Sequence, residues 1–201
     1  MPQFRSKNNP WEDHYTLKAR KEHFPARSVF KLEEIQQKFN LIHSADTVLD
    51  LGCAPGSWLM YAARRTGPKG TVIGIDLKPL TISLPPHVQV FTADILNLPE
   101  DVSEAIGRNF HVIMSDMAPS TTGNKSGDAA RSFELCQTAL SIAQNRLLPG
   151  GAFICKIFQG EDFNLFIRQV KSSFLHHKIF KPQSCRKASC EIYVIGINKQ
   201  R

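Results

Sequence analysis

Short apolar runs alternate with helical segments along most of the chain, and this alternation constrains the fold more than any other feature. Gly, Pro or Asp bounds each run, and most runs are almost continuously apolar, which is typical of parallel strands buried on both faces. The last two runs follow each other without an intervening helix, so we expect them to pair antiparallel. The seven predicted strands are residues 47–51, 71–75, 88–92, 110–115, 152–157, 178–180 and 192–197.

The segments between these runs carry apolar residues at helical spacing. One predicted helix starts at Ser28, and its Lys31 lies off the apolar stripe, where it could border a cleft. Two others are predicted near residues 58–65 and 163–172. The longest has one apolar face, formed by Phe133, Cys136, Leu140, Ala143 and Leu147. The pattern predicts an α/β class: a doubly wound, Rossmann-like, mostly parallel seven-stranded sheet with a terminal antiparallel strand.

The chain has 201 residues, of which 42% are hydrophobic and 21% charged, values typical of a compact globular protein. We expect one domain over residues 1–201, in which residues 1–25 form an N-terminal arm without sustained periodicity. No stretch reaches the roughly 18 apolar residues of a membrane span, and the N-terminus lacks an apolar signal core. We therefore expect a cytoplasmic, monomeric protein with no membrane partner. Its five cysteines form no C-x-x-C pair, so no metal site is predicted.

The positive charge lies at the two ends of the chain. Residues 1–31 carry a net charge of +4, residues 32–163 carry −4, and residues 164–201 carry +7. Basic ends around a mildly acidic centre favour flanks that attract a polyanion, most simply the phosphates of a nucleic acid. Charge alone leaves a merely solvated basic surface as an alternative.

The sharpest local motif is the glycine-punctuated turn after the first predicted strand, at residues 48–58. Its Gly52-x-x-x-Gly56 spacing, with Pro55 between the glycines, departs from the Gly-x-Gly-x-x-Gly of dinucleotide sites. Acids close three strands in turn: Asp50, Asp76 and Asp94. They suit the ammonium, ribose and adenine of S-adenosyl-L-methionine respectively. NAD binding, or an ordinary turn with acids serving as helix caps, remains an alternative.

Two further residues at strand ends suggest catalysis. Asp116 follows the fourth predicted strand, and Lys156 is embedded in the apolar run 153–158. A buried lysine either pairs with a carboxylate or loses its proton more readily, and Asp116 is the natural partner. Glu191 is the only acid in the last 38 residues, and it could equally be a surface acid that neutralises neighbouring bases.

Four separate motifs in this order resemble the FtsJ/RrmJ family of ribosomal RNA ribose 2′-O-methyltransferases. The similarity runs from about Tyr15 to the C-terminus, although cysteines stand at 185 and 190 where relatives are expected to carry Ser and Arg. The motifs are residues 26–32 with Lys31, 115–119 with Asp116, 156–160 with Lys156, and 181–184, which precede Glu191.

The resemblance implies both a mechanism and a substrate. Lys31, Asp116, Lys156 and Glu191 correspond to the family's K-D-K-E catalytic tetrad, with Lys156 accepting the proton of a ribose hydroxyl. The substrate implied is a uridine in the A-loop of 23S ribosomal RNA, presented on the large ribosomal subunit. The S-adenosyl-L-methionine site implied comprises Asp50, Gly52, Pro55, Gly56, Trp58, Asp76, Asp94, Ile95 and Asp116, the last near the sulfonium.

Alternative functions remain open from the sequence. The nearest is 2′-O-methylation of transfer RNA or of a messenger cap, which the same tetrad could perform. A NAD-dependent oxidoreductase would share the fold, and a non-catalytic RNA-binding assembly factor would explain the basic ends. The last of these leaves Lys156 in an apolar strand without a purpose.

Overall fold

The computed structural model describes residues 14–186 and 188–201. Its seven strands are β1 (Thr47–Leu51), β2 (Thr71–Asp76), β3 (Val88–Thr92), β4 (Phe110–Ser115), β5 (Leu147–Phe158), β6 (Phe174–Phe180) and β7 (Glu191–Lys199). They form one sheet in the order β3-β2-β1-β4-β5-β7-β6. β1 to β5 are parallel to one another, whereas β7 is inserted antiparallel between β5 and β6. The predicted fold class and the antiparallel pairing of the last two strands are confirmed.

Helices cover both faces of the sheet, as a doubly wound fold requires. They are α1 (His14–Lys21), α2 (Val29–Phe39), α3 (Ser57–Thr66), α4 (Glu100–Ile106), α5 (Lys125–Arg146) and α6 (Phe163–Ser173). Alternate residues of each central strand enter different cores. Leu49 and Leu51 of β1 pack with α5 and α6, whereas Val48 packs with α2 and α3. Burial of each such aliphatic side chain contributes about 1.5–3 kcal/mol relative to its exposure.

The structure corrects the prediction of an arm without regular structure at residues 1–25. Residues 14–21 form helix α1, and Ala19 packs with Phe24, Val29 and Phe30 in a small cluster at the start of α2. The helix was missed because its eight residues are mostly polar, so tertiary contacts rather than an apolar stripe hold it in place. Residues 1–13 of the predicted arm lie outside the described part of the chain.

The main differences from the predicted boundaries concern the end of α5 and the starts of β5 and β6. Leu147 begins β5 rather than ending α5, because the helix stops at Arg146 and residue 147 is already extended. β5 therefore starts five residues before the predicted position, and β6 starts at Phe174 instead of residue 178. In both cases two consecutive exposed residues, 149–150 in β5 and 175–176 in β6, interrupt the buried pattern at a sheet end or edge.

The strand order reverses between β1 and β4. From β1 the chain proceeds outward through β2 and β3, whereas β4 leads to β5 on the other side. The loops leaving the carboxyl ends of β1 and β4 diverge at this switch point and open a crevice, the usual ligand site of such sheets. No helix in the described part of the chain is long and apolar enough to span a membrane.

Candidate active site

A cavity of about 340 Å³ lies at the switch point. The loops that follow β1, β2, β3 and β4 all contribute to its wall, which places it where parallel-sheet enzymes bind their cofactors. Five of the predicted cofactor residues line it: Gly52, Asp76, Asp94, Ile95 and Asp116. The other four predicted residues, Asp50, Pro55, Gly56 and Trp58, do not line the cavity.

Gly52 is a glycine for a steric reason. Its φ is +78°, a left-handed conformation that L-residues seldom adopt, and a Cβ there would collide with the Met117 side chain. Its N–H donates to the carbonyl of Ile75, at 2.8 Å, which ties the loop to the neighbouring strand. The backbone of this turn therefore forms part of the cavity wall beside Met117.

The carboxylates of the cavity are held by backbone amides. Asp76 accepts from the N–H of Ala54 and from that of Lys78, each at 2.8 Å. Asp94 accepts from the N–H of Leu96 at 2.9 Å and so caps a short 3-10 helix. The helix-cap alternative for the acids is therefore correct for Asp94, and it is compatible with a ligand because that carboxylate also lines the cavity.

Asp50 is fully buried, and neither oxygen of its carboxylate has a hydrogen-bond partner among the described residues. Burial, together with the nearby carboxylates of Asp116 and Asp76, raises its pKa well above the ordinary value. A buried acid beside two other acids fits a site made for a cation, because a positive ligand offsets their repulsion. The cavity-lining carboxylates of Asp76 and Asp116 suit the positively charged S-adenosyl-L-methionine, and a bound cation would favour ionisation of the nearby Asp50.

Trp58 lies in the core rather than in the cavity. Its indole N–H donates to the carbonyl of Ser28 at 2.8 Å, and its ring stacks on Tyr193 with centroids 5.8 Å apart. The side chain thus joins α3 to the start of α2 and to β7. Its assignment to the cofactor remains a prediction, and its side-chain contacts are structural.

The four predicted catalytic residues meet beside the cavity as two ion pairs. Lys156 Nζ lies 3.2 Å from Asp116 Oδ1 and also donates to the main-chain oxygen of Asp116. Lys31 Nζ lies 2.8 Å from Glu191 Oε2. Lys156 and Glu191 are only 6% and 8% exposed, so both pairs are largely desolvated. The alternative of a solvated surface acid for Glu191 is wrong.

The two pairs are also coupled to each other. Burial lowers the pKa of Lys31, but the carboxylates of Asp116 and Glu191 outweigh burial and raise it above its ordinary value. Lys31 is therefore a fixed cation within the electrostatic reach of both acids. Asp116 belongs to the cofactor cavity as well as to this cluster, so the cluster and the cavity share one wall.

Tyr193 is a site residue that the sequence reasoning missed. Its hydroxyl donates to Asp116 Oδ1, the same oxygen that faces Lys156, and it lies opposite Lys156 in the β5–β7 register. Burial and the charges of Asp116 and Glu191 raise its pKa well above the ordinary value, so the hydroxyl stays protonated as a donor. Strand alternation could have revealed it, since residues 191 and 193 share one face of a strand.

A second pocket, of about 290 Å³, adjoins the Lys31–Glu191 pair and is lined by basic and hydroxyl side chains. Arg27 and Arg186 lie here with Ser184 and Ser189. Burial and the neighbouring Arg186 cation lower the pKa of Arg27. The Arg27 guanidinium donates to the carbonyl of Ser184, which fixes its position.

Helix α2 holds the loop that carries this pocket. Both carboxylate oxygens of Glu34 accept from consecutive backbone amides, from Gln183 at 2.6 Å and from Ser184 at 2.8 Å. Lys181 donates to the carbonyl of Ser189 across the same loop. Residue 187, another base of the predicted basic end, lies outside the described residues.

The fold and the crevice define a protein of the Rossmann-like methyltransferase class. A family model for FtsJ-like methyltransferases matches residues 24–199. The chain is 57% identical over 194 residues to ribosomal RNA large subunit methyltransferase E of Desulforapulum autotrophicum, with 96% of each chain covered. It is 54% identical to the protein of the same name from Desulfatibacillum aliphaticivorans, over 96% of this chain and 93% of the relative.

A solved structure agrees with these sequence matches. A Plasmodium falciparum protein described as a ribosomal RNA methyltransferase superposes with a TM-score of 0.77 and 28% identity, over 88% of this chain and 98% of its own. The chain belongs to the FtsJ-like methyltransferase family. It is accordingly a methyltransferase that uses a methyl donor, which excludes the oxidoreductase alternative.

Proposed function

We propose that the protein transfers a methyl group from S-adenosyl-L-methionine to a ribose 2′-hydroxyl of large-subunit ribosomal RNA, at a uridine of the 23S A-loop. The observation that carries this proposal is the buried cluster of Lys31, Asp116, Lys156 and Glu191 between an acidic cavity and a basic pocket. Relatives about half identical to this chain are named as large-subunit ribosomal RNA methyltransferases, which supports the choice of RNA.

The cofactor would be held by the cavity at the switch point. When bound, S-adenosyl-L-methionine supplies an electrophilic methyl group on a sulfonium. Asp50, Asp76 and Asp116 balance its positive charge, while the backbone at Gly52 allows its close approach. We assign Asp94 and Ile95 to the same wall of the cavity.

Lys156 accepts the proton of the ribose hydroxyl after its ammonium has released a proton to solvent, since only the neutral amine has a lone pair. A neutral lysine amine keeps two N–H donors and gains one lone pair. The main-chain oxygen and Oδ1 of Asp116 accept these two hydrogen bonds from Lys156 Nζ. The lone pair of the amine is then left to face the substrate. Asp116 thereby orients the base, and the Tyr193 hydroxyl fixes Asp116. Alignment of hydroxyl and methyl group then supplies much of the rate.

The basic pocket would hold the RNA backbone. Lys31 stays protonated against Glu191 and is placed to position the ribose, while Arg27 and Arg186 supply donors for neighbouring phosphates. We expect the protein to act as a monomer in the cytoplasm, on RNA within the assembled or nearly assembled large subunit. Residues 1–201 would act as one methyltransferase domain.

The experiment that tests the proposal compares RNA substrates. Purified large subunits, free 23S RNA, transfer RNA and capped messenger RNA are each incubated with methyl-tritiated S-adenosyl-L-methionine, and labelled nucleotides are identified by nuclease digestion and mass spectrometry. We expect one 2′-O-methyluridine in the A-loop of the large subunit. Label in transfer RNA or in a cap would support the rival substrate, and binding without any transfer would support an assembly factor.

A further inference from the structure

A third pocket, of about 170 Å³, opens beside the catalytic cluster and has no role in the scheme above. Its walls are the first turns of α5 and the segment 157–163 that follows Lys156 on β5. It shares no lining residue with the cofactor cavity or with the basic pocket, so it is a separate site among the described residues.

The position of this pocket relates it to the basic pocket. Phe158 lines the new pocket, Glu191 lines the basic one, and the two residues face each other in the β5–β7 register. The Cα atoms of opposed residues in an antiparallel pair lie about 4.5–5.5 Å apart, so lining residues of the two pockets are direct neighbours across these strands. A strand of RNA held by the basic pocket at Lys31 can therefore place a neighbouring nucleotide at Phe158.

The lining of the pocket favours a nucleobase over a phosphate. Three partly buried aromatic residues line the pocket: Phe133, Phe158 and Phe163. Its charged side chains are two acids, Glu161 and Asp162, against the single base Lys125. Acids repel a phosphate, whereas aromatic faces stack on bases of single-stranded RNA.

The polar groups indicate which bases fit best. Glu161 accepts hydrogen bonds only, and the exposed amide of Gln159 can both donate and accept. Within the described residues, the Gln159 side chain has no hydrogen-bond partner, so its amide is available to a ligand. An exocyclic amino group, present on cytosine, adenine and guanine but not on uracil, matches these acceptors.

The walls are held in place by backbone contacts. Phe158 N–H donates to Ser132 Oγ at 3.0 Å, and Gln159 N–H donates to the carbonyl of Cys190 at 3.1 Å. Gly160 lies directly against α5, since a Cβ at this position would come within 2.6 Å of the Ala129 Cβ. The pocket is therefore preformed, which lowers the entropic cost of binding a single ring.

We infer that this pocket binds the base of a nucleotide adjacent to the methylated one, with a preference for a base that carries an exocyclic amino group. The inference rests on the proposed function, because it takes RNA as the substrate. It adds a base-reading subsite to a surface whose other contacts go to phosphate and ribose.

The test measures binding of fluorescein-labelled ribo-oligonucleotides, hexacytidylate and hexauridylate, by fluorescence anisotropy. The wild-type protein is expected to bind hexacytidylate roughly 3- to 10-fold more tightly, the scale of one net hydrogen bond at an exposed site. The double variant Gln159→Ala/Glu161→Gln should lose this preference. Phe163→Leu, which keeps the apolar packing of residue 163, should weaken both oligonucleotides by roughly 5-fold or more because it removes a stacking surface.

Matched controls are Gln89→Ala and Glu104→Gln, exposed positions away from the pocket, which should bind as the wild type does. Thermal melting establishes that every variant is folded. In a second readout, hexacytidylate that carries 5-iodocytidine is bound to the wild-type protein and the complex is irradiated. The crosslinked peptide should contain Phe158 or Phe163.

Equal affinities of the wild type for the two oligonucleotides, or crosslinks confined to other segments, would overturn the inference. So would unchanged binding in all pocket variants. The failure of the proposed function is distinguished by the methylation assay: a wild-type protein that methylates no RNA contradicts that function, while the oligonucleotide preference and the crosslink still decide whether this pocket takes a base.

Discussion

The cofactor cavity and the basic pocket are two sites of similar size with opposite chemistry. The charged residues that line the cavity are three acids, Asp76, Asp94 and Asp116, and one cation, Lys78. The pocket reverses this balance, with three cations and the single acid Glu191. One region is therefore suited to a cationic cofactor and the other to an anionic polymer.

The two regions also differ in how they are built. The cavity is made of loops that leave parallel strands, and backbone amides hold the carboxylates of Asp76 and Asp94. The pocket depends on long-range contacts among α2, the segment 182–190 and β7, such as that of Glu34 with the backbone of residues 183 and 184. The Lys156–Asp116 pair lies at their boundary. Cofactor binding, RNA binding and proton transfer should therefore be separable by mutation.

The largest expected effect is on the rate of methyl transfer, and it comes from the Lys156–Asp116 pair between the cavity and the basic pocket. Lys156→Ala should lower the rate of methyl transfer by about 100- to 10,000-fold, the usual contribution of a general base. Binding of S-adenosyl-L-methionine should stay nearly intact, because Lys156 does not line the cavity. The measurement is single-turnover transfer together with calorimetric titration of the cofactor.

Lys171→Ala, an exposed lysine on α6, is the control and should retain wild-type turnover. Normal transfer by the Lys156 variant would remove proton acceptance by this residue from the mechanism. A variant with weakened cofactor affinity instead would show that the boundary belongs to the cavity.

The second prediction concerns the cavity alone. Asp76→Ala should weaken binding of S-adenosyl-L-methionine by about 1–3 kcal/mol, the range for a hydrogen bond to a charged group. Part of the effect would come from the Ala54 and Lys78 amides, which are left without their acceptor. Calorimetry measures the change, with exposed Asp101→Ala on α4 as the control. An unchanged dissociation constant would exclude Asp76 from the cofactor site.

How far the sequence predicted these regions differs between them. The cavity rests on local signals, since each acid lies near the carboxyl end of a strand and the glycines follow β1, and five of nine predicted residues line it. The four catalytic residues could be grouped only through their resemblance to a known family, because they are up to 160 residues apart in the chain. The burial of Trp58 depends on the packing of its ring against Tyr193 of β7, which no local pattern encodes, whereas strand alternation from Glu191 could have revealed Tyr193.

The third prediction concerns the basic pocket and the loop that carries it. The combined variant Arg27→Ala/Lys181→Ala/Arg186→Ala should bind RNA more weakly and with a shallower dependence on salt. For every phosphate that the variant no longer neutralises, the log–log slope should fall by about 0.7 with single-stranded RNA. Cofactor affinity should be unchanged because none of the three lines the cavity.

Filter binding of RNA across a salt series measures that slope. The control carries Arg108→Ala/Arg168→Ala/Lys171→Ala, which removes the same charge from exposed positions elsewhere. Equal slopes for the wild type and the basic-side variant would show that these charges are only a solvated surface. Because recognition of RNA uses the 2′-hydroxyl, DNA of the same sequence should be a poor ligand.

The smallest expected effect is on the stability of the cofactor-free protein. Burial raises the pKa of Asp50, so the folded state holds the proton of Asp50 more tightly than the unfolded state does. Ionisation of this acid therefore destabilises the fold as the pH rises above the unfolded value of about 3.9, and the destabilisation grows up to the folded pKa. Asp50→Asn cannot ionise, so its stability relative to the wild type should increase from pH 4 toward neutrality.

Thermal unfolding between pH 4 and pH 8 measures this difference. The melting temperatures of the two proteins should come to differ by a few degrees, since each kcal/mol corresponds to roughly 2–4 °C. The pH dependence isolates the ionisation, because the cost of burying the new amide does not change with pH. Saturating S-adenosyl-L-methionine should raise the melting temperature of the wild type more than that of Asp50→Asn, since a cation stabilises only the ionised acid. A melting-temperature difference independent of pH and of cofactor would mean that Asp50 contributes no charge to the site, and the acidic character of the cavity would then rest on Asp76, Asp94 and Asp116 alone.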